Sequence, residues 1–206
     1  TIEAGVAAAL ARLGTTPPDL TRRRGPDLDQ VIARLAPART TVRGLYSGGT
    51  LCYEALVLLG RTLGPVWSNT PIDKRYGLPA PTPASVCLDL GEEEYTRGRP
   101  HPMIDPEARL ELLREHATDP QVGVIILDVV LGHGADADPA TTLAPAAESA
   151  MADGGPQGAI NPRVDGPDRC NDLRPLGGIS ECESEHRLDR AVEAANLEVV
   201  IEAAFP

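Results

Sequence analysis

Aromatic residues are scarce in this sequence: one Trp, one Phe and four Tyr make up 3% of its 206 residues. The hydrophobic fraction is nevertheless 42%, so the core must consist mainly of Val, Leu, Ile and Ala. That composition is typical of buried parallel strands flanked by helices. A chain of this length is expected to form one domain, or one domain with an appendage, around a sizeable core.

Basic residues are also few, since the sequence has 19 Lys and Arg and 30 Asp and Glu, which gives a net charge of −11. A surface of this sign disfavours nucleic acids and anionic membranes as partners, although a local basic pocket could still bind a small anion. The sequence has no uninterrupted apolar run of about 18 residues and no charged segment before an apolar one at its start. We therefore expect a cytoplasmic protein that binds neither nucleic acid nor membrane.

Paired cysteines and the common catalytic motifs are absent. The four cysteines show no CxxC spacing, and no GxGxxG, P-loop, GxSxG or HExxH motif occurs. Cys52 and Cys87 fall in a predicted helix and a predicted strand, where buried, reduced thiols are the expected state. Cys52 lies close to a helix N-terminus, which would lower its pKa and suit a nucleophile. Its place within the helix favours a packing role instead.

What the sequence does contain is an alternation of strand-like and helix-like segments. The strands are predicted at residues 42–46, 85–90, 122–131 and 197–203, with a weak one around 158–164. The helices are predicted at residues 2–13, 28–35, 51–59, 106–116, 144–152 and 183–195. This alternation indicates an α/β fold in three layers, with a doubly wound parallel sheet and right-handed crossovers.

Residues 1–40 differ from the rest of the chain. The helix at 2–13 is followed by a Pro-rich linker with three consecutive arginines at 22–24, which either contact phosphate or are simply solvated. The chain starts on a helix without Met, so we expect residues 1–40 to be a helix and linker from a preceding region. Residues 41–206 are then the α/β domain.

The most informative stretch is the turn between the first strand and its helix. Ser47, Gly48, Gly49 and Thr50 form a short glycine turn, and Thr50 or Ser47 is the expected N-cap. Two glycines let the backbone approach a ligand, and the helix dipole with its exposed N–H groups favours an anion there. These four residues are therefore predicted to bind phosphate or substrate, unless the glycines only form a tight turn.

Three further candidates lie in loops expected at the carboxyl edge of the sheet, where doubly wound folds bind ligands. Arg99 suits a carboxylate or phosphate as an anion clamp, or else pairs with the acidic run 92–94. His101, between two prolines, is a candidate proton donor, a ligand-orienting group or a satisfied loop histidine. His133, between glycines after a buried strand, occupies a position typical of catalytic groups. His101 and His133 are the catalytic candidates.

Acidic residues near the longest hydrophobic run allow two interpretations. Asp128 lies inside that run, so its carboxylate must be paired or lie at the strand end, where it could orient a neighbour. Asp136 and Asp138 together with His133 could bind a metal, but this spacing is common in loops. No metal site is predicted.

Several strings of the sequence resemble one family. SGGTLCYEA at 47–55 resembles a turn in the flavodoxin-like ligase domain of succinyl-CoA synthetases, where a helix N-terminus points at a phosphate. With SNTPI at 68–72, GRPHPMIDP at 98–106 and VIILDVVLGHGADADPA at 124–140, the chain is similar to the C-terminal part of FdrA-type acyl-CoA synthetases over about residues 41–140.

This resemblance implies a flavodoxin-like domain of a synthetase-like enzyme with a small anionic substrate. It also implies CoA or a nucleotide bound through other domains or subunits. Some members of the family form part of an oxamate carbamoyltransferase in allantoin degradation, which implies carbamoyl transfer between oxalurate and phosphate. The phosphorylated histidine of the synthetases has no counterpart in residues 153–160.

Two functions remain open at this point. In the first, acyl or carbamoyl transfer relies on positioning and oxyanion-type stabilisation without a covalent nucleophile. In the second, the chain is a non-catalytic assembly domain that completes a site in a larger synthetase-like complex.

Overall fold

A computed structural model describes residues 2–16, 36–130, 134–136, 138–152 and 199–204. Its helices are α1 (Ile2–Arg12), α2 (Gly49–Leu63), α3 (Glu93–Thr96), α4 (Glu107–Ala117) and α5 (Pro139–Ala152). Its strands are β1 (Thr41–Tyr46), β2 (Val66–Ser68), β3 (Ser85–Asp89), β4 (Val122–Val130) and β5 (Val199–Ala204), and a 3-10 turn covers Lys74–Tyr76.

The strands form one parallel sheet in the order β2-β3-β1-β4-β5. Leu45 of the central strand β1 pairs with Leu88 of β3 on one side and with Leu127 of β4 on the other. The chain passes from β1 to the edge strand β2, returns to β3 and then crosses β1 to reach β4, so the strand order reverses beside β1. Without the short edge strand β2, the order is that of a flavodoxin-like sheet. The predicted doubly wound α/β fold is confirmed.

Helices cover both faces of the sheet, which gives the three predicted layers. On one face, Leu110 and Leu113 of α4 and Leu143 of α5 share a buried cluster with Leu45 and Leu127. On the other face, α2 contributes a second cluster, whose buried members are Tyr46, Leu51, Cys52, Ala55, Leu56, Val66 and Cys87. Leu45 and Tyr46 are adjacent in β1 and pack on opposite faces, as the period of a strand requires.

The structure corrects some predicted boundaries. The sequence predicts an irregular loop over residues 64–83, but this segment begins with β2, whose Trp67 packs edge-on against Tyr76 at a ring distance of 5.8 Å. The helix predicted from residue 144 begins at Pro139, because a proline is tolerated in the first helical turn. The Asp138 carboxylate, just before the helix, accepts hydrogen bonds from the Thr141 N–H and hydroxyl.

Other predictions lie outside the described residues. These are the arginine run at 22–24, the helices at 28–35 and 183–195, the weak strand at 158–164, and His133. Among the helices that the structure describes, none has the combination of length and apolarity that a membrane span requires.

Candidate functional site

An open pocket of about 450 Å³ lies at the carboxyl edge of the sheet, where β1 and β3 end. Its lining comes from the turn after β1, the first turn of α2, the end of β3 and the loop that follows it. The lining residues are Gly48, Gly49, Thr50, Tyr53, Asp89, Gly91, Glu92 and His101. Three of the predicted anion-binding residues and one of the predicted catalytic histidines therefore share this pocket.

The start of α2 has no side-chain cap in the described structure, so the predicted capping role of Thr50 or Ser47 is wrong. Gly48 occupies the N-cap position in an extended conformation, and Thr50 already lies within the helix. Ser47 is buried, and its hydroxyl donates to Asp128 Oδ2 at 2.5 Å instead. The first N–H groups of α2 thus have no capping side chain, and Gly49 and Thr50, which carry two of them, line the pocket.

A buried network holds the glycine turn in place. Asp128 Oδ1 accepts hydrogen bonds from the Ser47 N–H at 2.8 Å and from Arg109 Nη1 at 2.9 Å. Arg109 Nη1 also donates to the Asp128 carbonyl oxygen at 2.6 Å. Burial lowers the pKa of Arg109, and the Asp128 carboxylate opposes that shift. The predicted pairing of Asp128 is confirmed, and its partners fix the path from β1 into α2.

Asp89 ends β3 and is only 4% exposed. The Asn69 side chain bonds to both backbone groups of Asp89, since its Nδ2 donates to the carbonyl at 2.8 Å and its Oδ1 accepts from the N–H at 2.9 Å. The Asp89 carboxylate oxygen Oδ1 accepts from the Gly91 N–H at 2.9 Å. Burial raises the pKa of Asp89, while the Gly91 N–H and the neighbouring His101 act against that rise.

His101 presents one ring nitrogen to the pocket. Its Nδ1 accepts a hydrogen bond from the Met103 N–H at 3.2 Å, so in the neutral ring the proton resides on Nε2. A Cβ placed on Gly91 would lie 2.9 Å from His101 Nε2 and 3.1 Å from Asp89 Oδ1. A side chain at this position would crowd both groups, so the positions of the histidine and the carboxylate require a glycine here.

Arg99 does not line this pocket. Its guanidinium lies 3.5 Å from the Glu111 carboxylate in a pair that is about half exposed, with Arg99 at 48%. The partner is thus on α4 and not in the acidic run 92–94. His133 lies outside the described residues. Nearby, the Asp136 N–H donates to the Met103 carbonyl at 2.8 Å, which connects the segment after β4 to the His101 segment.

Neither described cysteine is suited to nucleophilic attack. Cys52 and Cys87 are free thiols with no exposed surface. Burial raises the pKa of each thiol to about 12. The lower pKa expected for Cys52 near the helix N-terminus is therefore wrong, because desolvation outweighs the helix dipole. Both thiols pack in the cluster beneath α2.

Sequence reasoning missed Asp89 and Arg109. The signal for Asp89 was a carboxylate at the end of an apolar strand, the same pattern that singled out Asp128. Arg109 stands among the apolar residues of α4, where a buried arginine needs an acidic partner from another element. That partner cannot be identified before the topology is known.

The family model of the CoA-ligase domain matches residues 45–162, a range that contains all of the pocket residues. The uncharacterized protein YahF of Escherichia coli (strain K12) is 42% identical over 123 residues, which are 59% of this chain and 24% of the relative. The matched region thus spans about a quarter of that relative's length. Because the family model covers more than half of the 206 residues, this chain belongs to the CoA-ligase family.

Proposed function

We propose that this chain is the anion-binding domain of an FdrA-type, synthetase-like enzyme. In this proposal a phosphate, or an acyl or carbamoyl phosphate, binds at the start of α2. One observation carries it: the N-terminus of α2 has no side-chain cap and opens, through Gly48 and Gly49, into the pocket at the switch in strand order. Helix N-termini of this kind favour anions through their N–H groups and dipole.

The remaining lining residues suit an oxyanion. Gly49 has no side chain to keep an oxygen away from the backbone, and the Thr50 hydroxyl lies in the first helical turn. Across the pocket, His101 Nε2–H is a donor that could orient the anion or deliver a proton. His133 follows β4, whose carboxyl end belongs to the same sheet edge, and we propose it as a second catalytic group from its place in the sequence.

The reaction that fits these groups is acyl or carbamoyl transfer without a covalent enzyme intermediate. For carbamoyl transfer, a phosphate oxygen would attack the carbamoyl carbon of oxalurate, forming a C–O bond as the C–N bond breaks. The proton that the attacking hydrogen phosphate brings would pass to the leaving oxamate nitrogen, and His101 Nε2–H would donate a hydrogen bond to the developing oxyanion. Positioning and stabilisation of the oxyanion would supply the rate enhancement. CoA or a nucleotide would bind through other domains or subunits.

One observation favours the alternative of a non-catalytic assembly domain. Of the described residues that line the pocket, none is Lys or Arg, whereas Asp89 and Glu92 are both acidic. A cation from another domain or subunit would then be needed to complete the anion site. Arg99 could serve as the anion clamp only if it left Glu111.

Calorimetric titration of the folded protein with phosphate and with carbamoyl phosphate separates the two functions. The proposal expects saturable binding that Gly49→Val weakens by at least about tenfold, because its Cβ would stand 2.9 Å from Asp89 Oδ2 and the side chain would crowd the start of α2. His101→Gln should weaken binding less, since an amide retains a donor. Gly60→Val is the matched control, because Gly60 lies in the same helix with open space around it.

The outcomes have distinct meanings. No binding heat from either ligand in a folded sample would favour the assembly domain. Binding that Gly49→Val leaves unchanged would place the anion elsewhere in the molecule. Arg99→Ala tests the clamp separately, and affinity unchanged in that variant would remove Arg99 from the site.

A further inference from the structure

We propose that Asp89 makes the pocket selective for tetrahedral anions that carry a hydrogen-bond donor, such as hydrogen phosphate, over anions that only accept, such as sulfate. This inference rests on the proposed anion site at α2 and adds a specificity-determining residue to it.

The position of the Asp89 carboxylate is fixed by its neighbours. The side chain of Asn69 bonds to both the N–H and the carbonyl oxygen of Asp89, and the Gly91 N–H donates to Asp89 Oδ1. The second oxygen, Oδ2, accepts no hydrogen bond from the described residues. It lies 2.9 Å from the point where a Cβ on Gly49 would stand. Asp89, whose exposed fraction is only 4%, therefore presents Oδ2 as an unused acceptor at the start of α2.

An anion seated on the N–H groups of α2 would bring one of its oxygens close to Asp89 Oδ2. If that oxygen carries a proton, a short charge-assisted O–H···O⁻ hydrogen bond forms. If it carries none, two negatively charged oxygens face each other and repel. Sulfate and hydrogen phosphate have the same shape but differ in this proton at neutral pH.

The other polar lining groups do not discriminate in this way. His101 Nε2–H and the N–H groups of α2 are donors, so they can bond to the oxygens of either anion. The Thr50 hydroxyl can donate or accept. Glu92 is an exposed residue at the pocket, so water can solvate its carboxylate in the presence of either anion. Asp89 is the one buried carboxylate among the described residues that line the pocket.

The test is calorimetric titration with sodium phosphate and sodium sulfate at about pH 7 and constant ionic strength. The wild-type protein should bind phosphate at least about tenfold more tightly, since sulfate places an oxygen without a proton against the Asp89 carboxylate, whereas hydrogen phosphate can donate to it. In Asp89→Asn, the amide can donate to either anion and can keep the Gly91 contact, so sulfate affinity should rise to within about threefold of phosphate affinity. Glu92→Gln is the matched control and should retain the preference.

A second comparison uses the wild-type protein alone and does not depend on how a variant folds. Arsenate, which carries a proton near neutral pH, should bind like phosphate, and selenate, which carries none, should bind like sulfate. Equal affinity for the two classes, or a preference that survives in folded Asp89→Asn, would overturn this inference while leaving the anion site intact. Failure of the wild-type protein to bind any of the four anions would instead overturn the proposed function.

Discussion

Gly91 lies where three polar groups converge. A Cβ at this position would be 2.9 Å from His101 Nε2, 3.0 Å from the Ser47 carbonyl oxygen and 3.1 Å from Asp89 Oδ1. Two of these atoms are held by backbone or by a hydrogen bond, so they cannot simply rotate away. The missing side chain, more than any flexibility of glycine, is what the pocket requires here.

Gly91→Ala should accordingly destabilise the protein. Displacing the surrounding groups resembles overpacking a core, which costs about 1–3 kcal/mol in the free energy of unfolding. Gly48→Ala is the matched control, because Gly48 is extended and has open space where a Cβ would stand, and its effect should stay within about 0.5 kcal/mol. Equilibrium urea denaturation measures the free energy of unfolding of both variants. A loss in Gly91→Ala as small as that in Gly48→Ala would show that the His101 segment can move to accommodate a side chain.

The sequence predicts the pocket at this scale only in part. The glycine turn and His101 were recognisable because each has a local signature, a glycine pair before a helix and a histidine between prolines. Asp89 has a signature as well, but whether a strand-end carboxylate faces a pocket or a core depends on register. Arg99 looked like an anion clamp, yet its closest acidic partner is on α4, one helix further along the chain.

Asp128 joins three elements through one carboxylate. It lies in β4, bonds to Ser47 at the end of β1, and pairs with Arg109 on α4. Both side chains of the ion pair are almost wholly buried. In such a pair, the charge that remains after removal of its partner carries the full desolvation cost.

Asp128→Asn should therefore reduce the free energy of unfolding by about 3–5 kcal/mol, because Arg109 would be left without a counter-charge. Adding Arg109→Met in the same chain should recover part of that loss, since no buried charge then remains. Glu93→Gln is the control: it breaks the exposed pair with Arg97 and should change the unfolding midpoint little. Urea denaturation compares the three variants. If Asp128→Asn lowers the free energy of unfolding as little as Glu93→Gln does, the buried ion pair of Asp128 and Arg109 does not stabilise the fold.

At the scale of elements, long periodic or strongly β-branched segments were predictable and short ones were not. The strand predicted at residues 122–131 corresponds to β4 (Val122–Val130), because its nine consecutive residues give a clear signal. The three residues of β2 are too few for any periodicity and depend on pairing with β3. The early start of α5 at Pro139 followed from capping by Asp138, a local interaction that hydrophobic periodicity does not report.

In the described sheet β1 is the central strand, and the candidate pocket lies at the carboxyl end of that strand. The reversal of strand order beside β1 was implied by the alternation of elements, although the alternation alone does not say which strands flank it. Pairing of Leu45 with both Leu88 and Leu127 decides that point. The location of the ligand crevice then follows from topology, and the glycine turn coincides with it.

Residues 39–41 are hydrogen-bonded to the start of β4 and to the residue before it. Arg39 Nη1 donates to the Val122 carbonyl at 2.5 Å, and the N–H groups of Thr40 and Thr41 both donate to the Gln121 carbonyl. By contrast, α1 is largely exposed, with Ile2 at 47% and Leu13 at 80%. The Ile2 N–H of α1 donates a hydrogen bond to Glu54 Oε2 of α2 at 3.1 Å.

We expect a chain shortened to begin at residue 36 to keep the fold and the pocket. Loss of the Ile2 bond should cost no more than about 3 kcal/mol, the upper value for a hydrogen bond to a charged group, and the Glu54 carboxylate, whose Oε1 is buried without a partner, would gain access to water. Thermal unfolding should stay cooperative, and phosphate affinity should match that of the full chain. Glu54→Gln in the full chain is the control for the link itself. If the shortened chain loses its cooperative transition while Glu54→Gln keeps it, the first 35 residues contribute to the core, and the proposed boundary at residue 40 is wrong.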